Sequence, residues 1–233
     1  MMLNTLDNFK KWNKLVIEAP TWLWKSFAYL LPSILYSLKT WEKVFISTNT
    51  KTLQDQLFVK DLDFLSKNLE LDFNYTKIKW KKNYISLKWF FTEVFFWDFS
   101  YDKTWFLLKL SLWLFETKYW ELDELNYFWK EFSFLKEINW EYLFNLEKKD
   151  SYNNYEFLFK ARQNLMQSNI IIINHALLFS DIKGDNSILW NIDNLVIDEA
   201  HNIEDSVTSS LKKRITLNNI EDIRRKNVKI NSR

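Results

Sequence analysis

A chain with one glycine cannot build the turns that most folds rely on. Left-handed backbone, tight phosphate-binding loops and close backbone approaches favour glycine, because a Cβ obstructs them. Of 233 residues only Gly184 is glycine, while 13 are tryptophan. An ordinary composition of about 7% would place roughly 16 glycines in a chain this long. The 1 glycine and 13 tryptophans together make 14, close to that ordinary glycine content. Shortfall and surplus therefore read as one feature. Either the fold does without glycine turns, or some tryptophans stand at positions built for glycine.

The remaining composition sets bounds. Hydrophobic residues are 47% and charged residues 27%, enough for a buried core in one or two domains. Lys and Arg number 32 against 30 Asp and Glu, so net charge favours no class of partner. Cysteine is absent, which excludes disulfides and cysteine-ligated zinc or iron–sulfur centres. No apolar run reaches the roughly 18 residues of a membrane span, and Pro32 interrupts the stretch after Lys25. Met1–Lys11 has no signal-peptide core, so the expected location is cytoplasmic, with no membrane partner. Abundant Asn, Ile, Phe, Tyr and Lys, with scarce Ala and Pro, point to AT-rich codons, a bias that does not enrich Trp.

Hydrophobic patterning predicts an α/β fold with a parallel sheet, helices on both faces and an inserted, mainly helical subdomain. Leu15–Ala19 reads as a strand, Pro20–Ser26 as a break and Phe27–Leu38 as a helix. A turn at Trp41–Glu42 leads to a strand over Lys43–Ser47 and a helix over Thr52–Leu65, giving two successive βα units. From Trp80 to about Arg162 the chain is aromatic-rich without clean alternation, with helices expected over Lys103–Phe115 and Leu122–Phe134. Buried-type strands return at Asn169–Asn174 and Leu195–Asp198. Lys77, Lys79, Lys81, Lys82 and Lys88, interleaved with Tyr84, Phe90 and Phe91, read either as a single-strand platform of charge and stacking or as a solvated basic face. The aromatic stripe Phe95–Phe99 reads as core.

Residues 18–26 read Glu-Ala-Pro-Thr-Trp-Leu-Trp-Lys-Ser. Lys25-Ser26 supply the last two positions of G-x-x-x-x-G-K-[ST], in the strand-to-helix context that a phosphate loop requires. Trp24 stands where a glycine belongs, and an indole at Trp22 or Trp24 would fill the cradle. With glycine at both positions the segment becomes EAPTGLGKS, which resembles motif I of the DinG/XPD (Rad3)-like family of superfamily 2 DEAH-box helicases. Ser47–Leu57 (STNTKTLQDQL) resembles its motif Ia, Asn174–Phe179 (NHALLF) the strand before motif II, and Val196–Asp205 (VIDEAHNIED) the DEAH box. Thr117–Leu125 resembles a family stretch with glycine at the position of Trp120.

The resemblance accounts for the composition. A gene from a lineage that reads UGA as glycine, translated with UGA as Trp, would show this exchange. Trp12, Trp22, Trp24, Trp41, Trp80 and Trp120 are the foremost glycine candidates. Trp113 lies mid-helix, where the family carries Trp, and reads as genuine.

What the resemblance implies for fold and site is specific. The fold would be a P-loop NTPase, RecA-like. Residues 1–75 would carry motifs I and Ia, 76–165 the counterpart of the iron–sulfur domain, 166–205 the DEAH box, and 206–233 the start of an arch insertion. ATP would be cradled by Ala19, Pro20, Thr21, Trp22, Leu23, Trp24, Lys25 and Ser26, with Lys25 on the β/γ-phosphates. Ser26 and Asp198 would serve Mg2+, Glu199 would be the general base, and His201 would couple the site to DNA. Thr48, Thr50, Gln54, Asn174 and His175 are the DNA-contact candidates, with structural readings open for Thr48 to Gln54 as a helix cap and for Asn174 and His175 as links.

Two departures qualify the resemblance. Ser86 stands where a cluster-ligating Cys would, and no thiolate exists in the chain, so no iron–sulfur cluster is expected. The second RecA-like domain with its arginine fingers is missing, so a monomeric fragment with weak or no activity of its own is expected. The leading reading is the N-terminal part of an ATP-dependent DNA helicase, moving 5′→3′ on single-stranded or forked DNA in repair. Two alternatives remain: an inactive nucleic-acid-binding module if Trp22 and Trp24 are real, and the motor of a nuclease-fused or CRISPR-associated DinG.

Overall fold

The computed structural model of the chain describes residues 1–11, 13–19, 24–95, 100–119, 121–126, 131, 134–135, 157–183, 188–189 and 191–212, except for the side chains of 89, 157, 158, 210 and 211. Four strands, β1 (Val44–Thr48), β2 (Tyr75–Lys77), β3 (Ile170–Asn174) and β4 (Asn194–Ile197), form one sheet. Their order is β2-β3-β1-β4, and every pairing is parallel. The fold class is α/β, as expected. β1 and β3 lie in the middle. Every residue of β1 and Ile170 to Ile173 of β3 are buried, which is why they read as unbroken apolar, β-branched runs rather than alternating ones.

The helices are α1 (Met2–Lys11), α2 (Lys25–Thr40), α3, α4 (Leu87–Phe95), α5 (Tyr101–Glu116), α6 (Phe157–Gln167), α7 (His175–Lys183) and α8 (Ile203–Leu211). α3 is one continuous run made of Lys51–Gln56, a wider π-type stretch at Leu57–Leu62, and Asp63–Asn68. One sheet face, with Val44, Ile46, Ile170 and Ile172, packs against Leu30 and Ile34 of α2 and Leu57 and Leu62 of α3. The other, with Phe45, Ile171 and Ile173, packs against Leu165 of α6 and Leu177 and Leu178 of α7. A separate core of Tyr84, Ile85, Phe90, Phe106, Leu110, Trp113 and Leu122 belongs to the inserted subdomain.

α2 ends at a residue that glycine would suit. The N–H of Trp41 donates to the Ser37 carbonyl at 2.8 Å, and Trp41 adopts φ 63°, ψ 10°, the left-handed cap. That conformation crowds a Cβ against the following carbonyl and is usually taken by Gly. The indole packs nowhere: Trp41 is 86% exposed. The turn expected at Trp41–Glu42 is present.

Three expectations are corrected. Leu15–Ala19 is not a strand; it is irregular, and Val16 is 93% exposed. An apolar run without a neighbouring strand to pair with does not form one on composition alone, and residues 20–23 that follow lie outside the described residues. Leu122–Phe134 opens with a 3-10 turn at Leu122–Glu124 and is not helical at Leu125 and Asn126, so the expected helix does not start there; Glu131 and Phe134 are helical, and 127–130 and 132–133 lie outside the described residues. The basic run is a surface only in part: Lys82 is exposed and Lys81 and Lys88 are half-buried. Lys77 and Lys79, two apart and so on one side of the chain, are buried in an ion-pair knot. Lys77 Nζ meets Asp55 at 2.6 Å and Glu121 at 2.8 Å. Lys79 Nζ meets Glu121 at 2.8 Å, Asp123 at 3.2 Å and Asp55 at 3.3 Å.

Burial works to lower the Lys79 pKa, but the surrounding carboxylates outweigh it and push it up to about 12. Tyr84 and Phe90 are buried as well, while Phe91 is exposed. Lys51 of α3 adds a pair to Asp123 at 2.9 Å, so the knot ties the inserted subdomain to α3 and the sheet. Of Phe95–Phe99 only Phe95 is described, and it is exposed rather than core. α8 runs without a break through the boundary expected at 205–206.

Candidate functional site

The start of α2 and the loop after β4 lie together at the C-terminal edge of the sheet, bridged by the Tyr29 hydroxyl and Asp198 at 3.0 Å, where parallel α/β sheets bind ligands. The first part is the start of α2. Its N-terminal residue, Trp24, offers no side-chain cap, and the first turn carries no acid. The free N–H groups and positive dipole end of this helix are therefore left for an anion. Lys25 and Ser26 open the helix, half-buried, and neither side chain has a hydrogen-bond or ion-pair partner among the described residues. Ala19 is half-buried; Pro20, Thr21, Trp22 and Leu23 lie outside the described residues, as do Trp12 and Trp120. Trp24 departs from expectation. Its ring is 73% exposed and leans on Phe27, centroids 5.2 Å apart, rather than filling the cradle.

The second part is the loop after β4. Parallel pairing with β1 carries on one residue past the strand, where the Asp198 N–H donates to the Ser47 carbonyl at 2.9 Å. Both Asp198 oxygens are held: Oδ1 accepts the Glu199 N–H at 3.0 Å, and Oδ2 accepts the Tyr29 hydroxyl at 3.0 Å. Glu199 is exposed and takes φ 53°, ψ 49°. A non-glycine residue here stores strain of about 1–3 kcal/mol, a cost found at functional sites. Asn202 Nδ2 donates to Glu199 Oε2 at 3.4 Å and to His201 Nε2 at 3.0 Å. His201 itself is exposed.

The DNA-contact candidates divide. Thr50 is exposed, and its hydroxyl accepts the Leu53 N–H at 3.2 Å as the cap of α3. Asn174 is half-buried and caps α7 through Leu177 N–H at 2.8 Å. Thr48, Gln54 and His175 are fully buried, which corrects the expectation that their side chains reach DNA. Gln54 Nε2 donates to the carbonyls of Ile78 and Ile172, both at 2.9 Å. Thr48 donates to the Thr50 and Ile173 carbonyls. His175 Nδ1 lies 2.7 Å from Ser47 Oγ. Burial lowers its pKa, against an opposing pull from the Asp198 backbone and carboxylates, so the ring is neutral at neutral pH. Through that contact it ties the start of α7 to β1, while its Nε2 has no hydrogen-bond partner among the described residues.

Tyr29 was not among the sequence candidates. The available signal was a tyrosine on the inward face of α2, beside Leu30 and Ile34, since a buried phenol needs a partner.

The parallel sheet flanked by helices is that of a RecA-like α/β domain. The profile of the DEAD_2 family matches residues 117–220. Proteins described as 3'-5' exonuclease DinG are similar along most of the chain. The one from Staphylococcus saprophyticus is 32% identical over 93% of this chain and 23% of its own length. The one from Staphylococcus epidermidis is 34% identical over 86% and 21%, and that of Staphylococcus aureus strain USA300 is 32% identical over 93% and 23%. The DEAD_2 match and these similarities support a DinG/XPD-like superfamily 2 helicase fragment, and the chain spans less than a quarter of the length of these curated relatives. Domains of this family use a nucleotide and magnesium. No helix among the described residues is long and apolar enough to cross a membrane.

Proposed function

We propose that the chain is the ATP-binding and hydrolysing lobe of a DinG-like motor that moves on single-stranded or forked DNA, with glycine at positions 22 and 24 of the native polypeptide. The convergence of Lys25-Ser26 with Asp198-Glu199 at one edge of the sheet carries this reading. Lys25 and the N–H groups of α2 bind phosphate oxygens. Ser26 and Asp198 have oxygen lone pairs free for Mg2+ or its waters. The bound ion, when present, neutralises charge on the β- and γ-phosphates. Glu199 orients the attacking water and accepts its proton.

Positions 22 and 24 fit this role only as glycine, since a Cβ obstructs the N–H cradle. Trp41 in left-handed backbone supports the same exchange at a position remote from the nucleotide. Translation of UGA as glycine supplies both. Peptide masses from the native protein test it: glycine at 22, 24 and 41 is expected, and tryptophan at 22 and 24 overturns the reading. In a fluorescent-nucleotide titration, Trp22→Gly with Trp24→Gly is expected to confer Mg2+-dependent ATP binding that the chain as written lacks. Equal binding by the two forms would contradict it.

Movement 5′→3′, action as a monomer, a second motor lobe with an arginine finger, and a role in repair follow from the family resemblance and belong to the full-length protein. Cytoplasmic location and lack of a cluster are part of the same reading. The exonuclease name of the relatives supports a second one, in which this motor works beside a nuclease. Release of nucleotides from the 3′ end of labelled single-stranded DNA by the full-length protein tests it.

A further inference from the structure

We propose that Tyr29 is a positioning residue for the Mg2+–nucleotide site, holding the Asp198 carboxylate toward Ser26; this rests on the nucleotide-site reading above. Tyr29 follows Ser26 by three residues, so the two lie a turn apart on one face of α2. Whatever Tyr29 grips is thereby brought beside the first turn of the helix.

The ring of Tyr29 is buried, 4% exposed, within the core under the sheet. Its hydroxyl nonetheless reaches across the fold to Asp198 Oδ2 at 3.0 Å. Packing alone would be served as well by phenylalanine. An ionised carboxylate can only accept, so the Tyr29 phenol is the donor in this pair.

The second oxygen is fixed independently by the Glu199 N–H, and the Asp198 backbone by Ser47. Three donor–acceptor contacts thus set the position and rotation of one carboxylate. Each oxygen keeps a lone pair for a water on the metal. Without the Tyr29 hydroxyl the carboxylate could rotate, and the metal would meet a disordered partner. Groups that orient a metal's ligands in this way matter by about 10–100-fold in affinity.

The test uses the full-length protein carrying Trp22→Gly and Trp24→Gly as parent, with and without Tyr29→Phe. Mn2+ binding in the presence of a non-hydrolysable ATP analogue is followed by electron paramagnetic resonance. Nucleotide binding in EDTA and the melting temperature are measured alongside. Tyr29→Phe is expected to weaken Mn2+ binding about tenfold or more, with metal-free nucleotide affinity retained. In an Asp198→Asn background, Tyr29→Phe is expected to cause no further loss, since the carboxylate it orients is gone. Unchanged Mn2+ affinity overturns the proposal. So does a loss of equal size in the Asp198→Asn background, or a Tyr29→Phe protein that does not fold, since the hydroxyl then acts on packing. A parent that binds neither nucleotide nor Mn2+ overturns the nucleotide-site reading itself, and this one with it.

Discussion

The two sides of the proposed nucleotide site are unequally built. On the β4 side, Asp198 and Glu199 accept hydrogen bonds from Tyr29 and Asn202, the Asp198 N–H donates to the Ser47 carbonyl, and His175 pairs with the Ser47 hydroxyl. On the phosphate-loop side, Leu15–Ala19 is irregular, with Leu15, Val16 and Glu18 exposed, and Trp24 is 73% exposed. The first side is made of side chains and β-branched strands, whose bonding depends on groups this sequence supplies. The second depends on backbone N–H groups wrapped through conformations that only glycine takes easily. On the proposed reading, tryptophan in place of glycine acts on the second side and not on the first. The sheet records the same asymmetry. β1 and β3 are buried, but β4 is an edge strand with Leu195 exposed and Val196 and Ile197 half-exposed, so its outer edge is open to Leu15–Ala19.

The sharpest way to break this comparison is to attack the side that is formed. With glycine at 22 and 24, Glu199→Gln is expected to lower ATP hydrolysis by about 10²–10⁴-fold, the usual worth of a positioned base, while MgATP binding persists. Steady-state hydrolysis beside a binding titration separates the two. Loss of both together would mean that Glu199 holds the loop rather than the water.

Not every tryptophan belongs to the defective side. Trp113 is 8% exposed in the core of the inserted subdomain. Trp113→Gly is expected to cost about 3–5 kcal/mol, as for other large core truncations, read by urea denaturation. A neutral effect would place Trp113 among the misread positions and weaken the division between the two kinds.

Trp22→Gly with Trp24→Gly is the converse experiment. At a nucleotide concentration about 100 times Kd, binding adds ~2.7 kcal/mol to folded-state stability, visible as a rise in melting temperature that the chain as written does not show. Hydrogen exchange is expected to slow at Leu15–Ala19 as that stretch pairs with β4. A thermal shift without protection at 15–19 would separate the ATP site from the missing strand.

Much of the sheet was legible because four consecutive isoleucines or a Val-Phe-Ile run suit a strand buried on both faces. Ile170–Asn174 and Val44–Thr48 fall within a residue of expectation. The elements that misled did so for physical reasons. Lys77 and Lys79 among aromatics look alike whether they face DNA or a buried knot. Only the fold brings Asp55, Glu121 and Asp123 to them, 22 to 44 residues away in the chain. Motif polarity also misled: Thr48 and Gln54 turn their donors to buried carbonyls and His175 pairs with the Ser47 hydroxyl, and none of the three meets solvent. Leu15–Ala19 has a strand's composition but no strand partner among the described residues. Tyr29 could be seen only as a buried phenol without a known partner.

The smallest effect lies farthest from the nucleotide. Trp41→Gly is expected to stabilise the chain by ~1–2 kcal/mol, the cost of a Cβ in left-handed backbone, less the smaller entropy that glycine adds to the unfolded state. The exposed indole makes no packing contribution to offset this. Trp41→Ala discriminates the cause: alanine removes the indole but keeps the Cβ, so it should recover little of the gain. Chemical denaturation of the three forms measures it. If alanine matches glycine, the backbone at Trp41 is not the source of strain, and Trp41 ceases to support glycine at positions away from the phosphate loop.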